Sequence, residues 1–321
     1  MAKHWAKINE AGAVGGMRFM AWVYRHLGRV AFNIALVPVM VFYYFRRGVA
    51  RRASWDYLSR VKRQYPGALP NRPIWYLSFF HLLEFGHSVL QKMLAWTDEI
   101  PTVAMDPDEQ TELFDVVDQG VGCLLVGSHF GNIEYSRGIS RRHPDLVINV
   151  LLHDKHASKF AELMEGAEPL SRMHLIQVTD LDLALTLRLK EKIDQGEWVI
   201  IAGDRVPVDE DAKTTSAEFL GDKAGFPIGP YVLGAVLQCP VYLLHCYRVN
   251  NEHFLGFEQF SQRLQMPRKD RPAYLQSVAQ KYAHALERQL VRSPLQWFNF
   301  YDFWNDRTHD ASEPAIEQKN D

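Results

Sequence analysis

The hydrophobic pattern changes character along the chain. Up to about residue 96, apolar residues recur at steps of three and four, as in "MRFMAWVYRHL" and "RASWDYLSRVKRQY", and this spacing predicts helices. From residue 121, short and continuously apolar runs alternate with amphipathic stretches. Runs such as "VGCLLVGSH", "LVINVLLH" and "EWVIIAGD" predict buried strands, and the stretches between them predict helices. We therefore expect an α/β fold whose mostly parallel central sheet is flanked by helices.

The same pattern predicts three regions along the chain. Residues 1–96 are expected to form a helical and basic region, residues 97–305 the α/β domain, and residues 306–321 a polar tail. "LGFEQF" is expected to be an edge strand. "EFLGDKAGFPIGPYVLG" is expected to be a flexible loop entering a helix, because glycines interrupt it before a proline that suits a first helical turn. Helix starts bind anions through free amides, but an ordinary loop is an equal interpretation.

The most apolar part of the N-terminal region is "VAFNIALVPVMVFYYF", a run of 16 residues from Val30 to Phe45 with arginines on both sides. Crossing a bilayer takes about 20 apolar residues, and Asn33 and Pro38 interrupt this run. We therefore expect a helix that lies in the membrane interface, with Tyr43 and Tyr44 at headgroup level. A buried helix with solvated arginines is the alternative. A cleavable signal is not expected, because the run begins late and no small-residue cleavage site follows it.

The charge distribution supports an anionic partner for the N-terminal region. The net charge is −2, but residues 1–72 carry a net +11 and the remaining residues a net −13. Nucleic acid and membrane are both anionic, and the apolar run favours membrane over nucleic acid. The three cysteines lie in apolar runs, as expected of a protein from a reducing compartment without a disulfide framework.

The first candidate for chemistry is "VGSHFGNIE", residues 126–134, which comes directly after a predicted buried strand. Ligands of parallel sheets bind beyond the carboxyl ends of the strands, where His129 is expected to lie. If a helix begins near Asn132, the chain turns at Gly131 and Glu134 can meet His129. A carboxylate that keeps one imidazole nitrogen protonated lets the other accept a proton from a hydroxyl. The alternatives are that Glu134 only complements a helix dipole and that His129 is a structural turn residue.

Other segments offer further candidates. "AGDRVPV" puts Asp204 and Arg205 at the end of another buried strand, where the arginine suits a phosphate or carboxylate, or where the two form a structural pair. "GSHFG" is similar to a nucleophile elbow, but its central residue is histidine, so a Ser128 nucleophile is not favoured. "HDKH", residues 153–156, is too weak a pattern to indicate a metal site, and we expect none. The aromatic segment "PLQWFNFYDFW" fits either core packing or one wall of a lipid-facing groove.

Taken in order, these motifs resemble those of the lysophospholipid and glycerol-phosphate acyltransferase superfamily, above all its bacterial branch of late acyltransferases of lipid A biosynthesis. "HFGNIE" is similar to the superfamily's His-x4-Asp/Glu motif, "FLGDKAGFPIGPYVLGAVLQCPVY" to its block leading into a Pro-Val strand, and "PLQWFNFYDFW" to its aromatic C-terminal signature. The resemblance covers essentially the whole chain. "AGDRVPV" departs from the usual lipid A enzymes and looks more like a subgroup found beside pathways for polyene or other unusual lipids, which leaves the acceptor open.

The resemblance implies a glycerol-3-phosphate acyltransferase-like fold and a membrane-associated O-acyltransferase. It would move an acyl group from acyl carrier protein or coenzyme A to a hydroxyl of a lipid or glycolipid, with no cofactor beyond that co-substrate. It would work at the cytoplasmic face of a bacterial inner membrane, with anionic lipids and acyl carrier protein as partners. A thioesterase or lipid hydrolase is the alternative. The implied catalytic residues are His129 and Glu134, and the expected substrate-binding residues are Asn132, Asp204, Arg205, Phe219, Gly221, Phe226 and Gly229.

Overall fold

The computed structural model describes residues 13–96, 102–153, 173–178, 182–206, 213–250 and 252–304. The predicted polar tail and a predicted helix in "SKFAELMEGAEPL" lie outside these residues. The described helices are α1 (Ala13–Arg46), α2 (Gly48–Gln64), α3 (Ile74–Trp96), α4 (Pro107–Asp118), α5 (Arg137–Arg142), α6 (Leu183–Asp194), α7 (Gly229–Leu237) and α8 (Arg271–Leu290), with 3₁₀ helices at Ile133–Ser136 and Pro294–Gln296.

A seven-stranded sheet forms the centre of the fold. The described strands are β1 (Val103–Ala104), β2 (Leu124–Gly127), β3 (Ile148–His153), β4 (Met173–Val178), β5 (Trp198–Ala202), β6 (Thr214–Phe219), β7 (Asp222–Pro227), β8 (Val241–Val249) and β9 (Glu252–Ser261). The order in the large sheet is β1-β9-β8-β2-β5-β3-β4, and every neighbouring pair is parallel except β8 and β9. The predicted α/β class with a mostly parallel sheet is confirmed.

Helices cover both faces of this sheet. One face packs against α2, α6, α7 and α8, and the other packs against α4, α5 and the first 3₁₀ helix. The continuously apolar strands result from this double cover, because neither face of the central strands meets water. The predicted strand "LGFEQF" lies in β9, and the two-residue strand β1 pairs only with His253 and Phe254 on the outer side of β9.

The predicted flexible loop before α7 was also wrong, because the segment forms the antiparallel hairpin of β6 and β7. Its two turn residues, Leu220 and Gly221, have φ of 53° and 81°. Positive φ at both central residues belongs to the tight turns that match the twist of paired strands. The glycine at the turn therefore permits a defined conformation. Helix α7 comes after the hairpin and has a proline in its first turn, as predicted.

The N-terminal helices α2 and α3 share a core with the sheet. Tyr57, Leu58 and Val61 of α2 and Leu77 of α3 are at most 2% exposed and belong to the same apolar cluster as the strands. The Tyr57 hydroxyl also donates a hydrogen bond to the backbone carbonyl of Pro294, at 2.9 Å. Displacement of these helices would therefore disturb the packing beside the sheet.

Helix α1 packs along α3 with one face and exposes an apolar face on its other side. Phe32, Leu36 and Met40 are buried in a cluster with Leu82 and Leu90 of α3. In the described part of the chain, one stretch is long and apolar enough to cross a membrane, by length and composition only: Phe19–Arg46 of α1. Of its apolar segment of 18 residues, 22% is buried. The stretch is longer than the predicted run because apolar residues continue N-terminal to it.

Candidate active site

Two neighbouring strand ends bring His129 and Asp204 together. β2 and β5 are parallel, and Gly127 at the end of β2 lies opposite Ala202 at the end of β5. His129 comes two positions after Gly127, and Asp204 comes two positions after Ala202. His129 Nδ1 and Asp204 Oδ1 are 2.8 Å apart. The position of the pair, beyond the carboxyl ends of parallel strands, is where ligands of such sheets bind.

The Asp204 carboxylate is fully buried and accepts four hydrogen bonds. Oδ1 accepts from His129 Nδ1, and Oδ2 accepts from the His129 backbone N–H at 2.8 Å, from Trp297 Nε1 at 2.8 Å and from Asn299 Nδ2 at 2.9 Å. A buried carboxylate without such donors would protonate. The four donors fix its orientation and, through it, the orientation of the imidazole.

The charge state of the pair suits a base. Burial and the Arg205 guanidinium lower the pKa of His129 below its usual 6.5, and Asp204 offsets only part of that effect. Burial alone would raise the pKa of Asp204, but its contacts with His129 and the nearby Arg205 hold it below 3.8. At neutral pH the aspartate is therefore ionised and the histidine neutral. Nδ1 carries the proton that Asp204 accepts, and Nε2 carries the lone pair. The His129 side chain is 32% exposed.

The expectation that Glu134 holds the imidazole was wrong in its geometry, because the carboxylate on the ring belongs to Asp204. Glu134 lies in the first 3₁₀ helix and accepts a hydrogen bond from Arg137 Nε at 3.2 Å. Its other oxygen is 3.6 Å from Lys92 Nζ of α3. Glu134 thus links the turn after β2 to α3. A catalytic role of Glu134 stays a prediction.

The turn itself is held against β8. Gly131 has φ +71°, its N–H donates to the Gln296 carbonyl at 2.8 Å, and the N–H of Asn132 donates to the Cys246 carbonyl at 2.6 Å. Asn132 also caps the 3₁₀ helix, because its Oδ1 accepts from the Glu134 N–H at 3.2 Å. It is 6% exposed. Asn132 therefore shapes the turn that presents His129, and binding of substrate by its side chain stays a prediction.

Gly131→Ala is expected to destabilise the protein by about 2–4 kcal/mol, through a left-handed φ combined with a steric clash. A Cβ at this position would lie 1.8 Å from the Cys246 carbonyl oxygen. Gly120 is the matched control, since its φ is +63° and a Cβ there meets no atom within 4 Å. Gly120→Ala should cost about 1–2 kcal/mol, the conformational part alone. Urea unfolding of both variants measures the difference, and equal losses would contradict the close contact.

Arg205 is engaged with the C-terminal aromatic segment. Its Nε and Nη2 donate to Asn299 Oδ1 at 3.0 and 2.8 Å, and Nη2 also donates to the Phe298 carbonyl at 3.2 Å. Asp204 and Arg205 thus both bind the segment 297–299. These contacts hold the aromatic segment beside the site, and binding of a phosphate by Arg205 stays a prediction.

The residues that sequence reasoning missed are Trp297 and Asn299. Both belong to the aromatic segment, and both are buried, at 0% and 3% exposure. The Trp297 ring packs on Tyr57 of α2 and Phe219 of β6, with centroids 4.9 and 5.4 Å away. The segment therefore packs in the core and at the same time supplies two donors to Asp204. The sequence does contain a signal for this role, because Trp297 and Asn299 have side-chain N–H donors among the rings of this segment.

The other predicted substrate-binding residues lie in or beside the β6–β7 hairpin. Phe219 and Phe226 are fully buried in the main core and contact each other edge-on at 5.5 Å. Gly221 is in the hairpin turn, and Gly229 is the first residue of α7. The buried rings support the fold around Trp297. Contact of these four residues with a substrate remains a prediction.

A chain of hydrogen bonds connects Asp204 to the N-terminal helices. Ser54 Oγ of α2 and His81 Nδ1 of α3 are 3.0 Å apart, and His81 Nε2 lies 2.8 Å from the Trp297 carbonyl oxygen. Trp297 in turn donates to Asp204. Ser54 and His81 are at most 1% exposed. The helices of the basic region thus help to position the buried carboxylate.

His81 is expected to make the protein less stable in mild acid. Burial lowers its pKa from 6.5 to about 4, so the folded state takes up this proton at a lower pH than the unfolded chain. Stability is therefore lost as the pH falls through the range from about 6.5 to about 4, by about 2 kcal/mol for this group between pH 7 and pH 5. In His81→Gln that contribution disappears, so the variant should lose about 2 kcal/mol less over the same interval. Urea unfolding at both pH values measures it, and an unchanged pH dependence would contradict the assignment.

Ser128 is not arranged as a nucleophile. Its Oγ is buried and has no hydrogen-bond partner among the described residues, and His129 directs Nδ1 to Asp204. The "HDKH" segment extends beyond the described residues at Asp154. The described site therefore offers an oriented base that can accept a proton from a hydroxyl, and Ser128 is not arranged to supply that hydroxyl.

The arrangement of Asp204 and His129 can accept a proton from a bound hydroxyl at Nε2 while the carboxylate stabilises the resulting imidazolium. Comparison of the chain with protein-family models and with curated proteins found no match.

Proposed function

We propose that this protein is a membrane-associated O-acyltransferase with a glycerol-3-phosphate acyltransferase-like fold, acting on a hydroxyl of a lipid or glycolipid acceptor. The acyl donor is a thioester, with acyl carrier protein the expected carrier and coenzyme A the other one. The observation that carries the proposal is the hydrogen bond between Asp204 and His129 at the carboxyl ends of β5 and β2. The ordered motifs that resemble the lipid A late acyltransferases support it.

In the proposed reaction His129 Nε2 takes the proton of the acceptor hydroxyl as the oxygen attacks the thioester carbonyl carbon. The C–S bond then breaks, and the leaving thiolate receives the proton from the imidazolium, so that an ester and a thiol are formed and the imidazole is neutral again. Asp204 keeps Nδ1 protonated and stabilises the positive ring between the two transfers. The lowered pKa of His129 keeps the base form populated at neutral pH.

The basic and apolar N-terminal helices suit a site of action at the cytoplasmic face of a bacterial inner membrane, where a lipid acceptor and an acidic carrier protein can both be reached. The burial of α2 and α3 in the main core supports a fixed relation between these helices and the site.

The test uses acyl carrier protein that bears a radiolabelled acyl group. The purified full-length protein is incubated with this donor and a bacterial lipid extract, in vesicles and in detergent micelles. The expected product is a newly acylated lipid, which also identifies the acceptor. Label that appears only as free fatty acid would instead support the thioesterase alternative.

A further inference from the structure

Exposed aromatic side chains from three helices meet at one end of the N-terminal helices. Phe45 of α1, Trp55 of α2 and Trp75 of α3 are 72%, 40% and 57% exposed. Tyr44 joins them, because its hydroxyl donates to the Trp75 carbonyl at 3.1 Å and accepts from Trp55 Nε1 at 3.1 Å. The Phe45 ring lies 5.7 Å from the Tyr44 ring. We call Phe45, Trp55 and Trp75 the aromatic end.

Tyr44 itself is 7% exposed, so it does not face a headgroup layer as the sequence suggested. It acts as the buried centre around which the aromatic end is assembled. This explains how residues 30 positions apart in the sequence come to form one surface. An anchor restricted to the run from Val30 to Phe45 would leave the exposed rings of α2 and α3 without a role.

Arginines lie beside the aromatic end and its neighbours Phe42 and Tyr44. The Arg46 guanidinium lies 5.8 Å from the Phe42 ring centroid, and that of Arg51 lies 5.5 Å from Tyr44 and 6.0 Å from Trp55. Between residues 13 and 72 the sequence has eleven Lys or Arg and one acid, Asp56. Asp56 is paired with Arg60 at 3.1 Å. The surface therefore combines exposed rings with an excess of positive charge.

The apolar surface continues from the aromatic end along α1. The outward side chains of this helix after its kink at Gly28 (φ 80°, ψ 179°) are 39–74% exposed, and they are Val30, Ile34, Val37, Val39, Val41, Phe42 and Phe45. Before the kink, Phe19, Trp22 and Leu27 are also exposed. The opposite side is fixed to α3, where a Cβ on Gly86 would lie 2.9 Å from Leu36 Cδ1 and 3.2 Å from Met40 Sδ. This close approach holds α1 along the body of the protein.

From these features we infer that the aromatic end and the outward face of α1 form one docking surface for the interface of an anionic lipid bilayer. Tryptophan and phenylalanine rings fit the boundary between headgroups and acyl chains, and arginines at the same depth meet lipid phosphates. A second copy of the chain suits this surface poorly, because a two-fold contact would bring the arginines against one another. The inference specifies the membrane partner of the proposed function and rests on it for the substrate, but not for the binding itself.

The test compares two double variants of the full-length protein in binding to vesicles of phosphatidylglycerol and phosphatidylcholine. Phe45→Ser with Trp75→Ser removes two rings of the aromatic end whose side chains are mostly in solvent. Leu183→Ser with Leu187→Ser is the matched control, since these α6 side chains are 75% and 56% exposed on the α/β body. Vesicle flotation in high salt isolates the apolar contribution, which salt does not screen. Melting curves check that both variants are folded.

The first variant should bind about 100-fold more weakly than the wild type, about tenfold for each ring that is no longer buried in lipid, and the control should bind like the wild type. Brominated lipids should quench the tryptophan fluorescence of the wild type, and Trp75→Ser should reduce the quenched fraction. Equal binding of the variant and the wild type, or an equal loss in the control, would overturn the inference. So would a variant that keeps vesicle binding and loses only binding to acyl carrier protein. Wild-type protein that binds vesicles yet transfers no acyl group would contradict the proposed function and leave this surface supported.

Discussion

His129→Ala is expected to lower the rate of acyl transfer by about 10²–10⁴-fold, the usual effect of losing a general base. The side chain is one third exposed at a strand end, so its removal should leave the core intact. His284→Ala is the matched control, because His284 is exposed on α8 and its Nε2 lies 2.9 Å from Gln280 Nε2 of the same helix. Initial rates with labelled thioester and lipid acceptor measure both variants. Near wild-type turnover by His129→Ala would contradict the mechanism.

Asp204→Asn is expected to lower the transfer rate by a similar factor of about 10²–10⁴, because the amide can donate to Nδ1 and thereby favour the tautomer with its proton on Nε2. Loss of the carboxylate also removes an influence that raises the pKa of His129, so the base becomes weaker. Glu134→Gln is the control, since Glu134 is also buried but bonds to Arg137 and not to His129. The transfer rate of Glu134→Gln should fall less than that of Asp204→Asn.

The pH profile of kcat/KM distinguishes these roles. A base has to be unprotonated, so activity should fall on the acid side, and the lowered pKa of His129 places that fall below 6.5. In Asp204→Asn the residual activity should fall at a still lower pH. A Glu134→Gln variant that shifts the acid limb as strongly as Asp204→Asn would make Glu134 the partner of the base after all.

The placement of His129 could be predicted because it depends on local information. A continuously apolar run predicts a buried strand, and the residue two positions after its end lies at the rim of the sheet. The same reasoning placed Asp204 at the end of another strand. What the pattern does not contain is which strands are neighbours. Without the pairing of β2 with β5, the sequence favours Glu134, five positions away, over Asp204, 75 positions away, as the partner of His129.

The hairpin of β6 and β7 was missed for a different reason. Its glycines were interpreted as a sign of flexibility, although one of them lies in a turn with a defined left-handed conformation. Trp297 was grouped with the surrounding aromatic residues, and its indole N–H bonds to a carboxylate 93 positions earlier in the chain. Such contacts depend on the folded arrangement of distant segments, so composition and periodicity could not identify them.

The central claim is that the base activates a hydroxyl of the acceptor and not water. The most direct measurement counts the thiol released from the acyl donor and the ester formed, with the lipid acceptor present and absent. The account predicts one ester for each thiol, thiol release that depends on the acceptor, and loss of both products in His129→Ala. Thiol release that continues at the same rate without acceptor, with free fatty acid as its product, would contradict it.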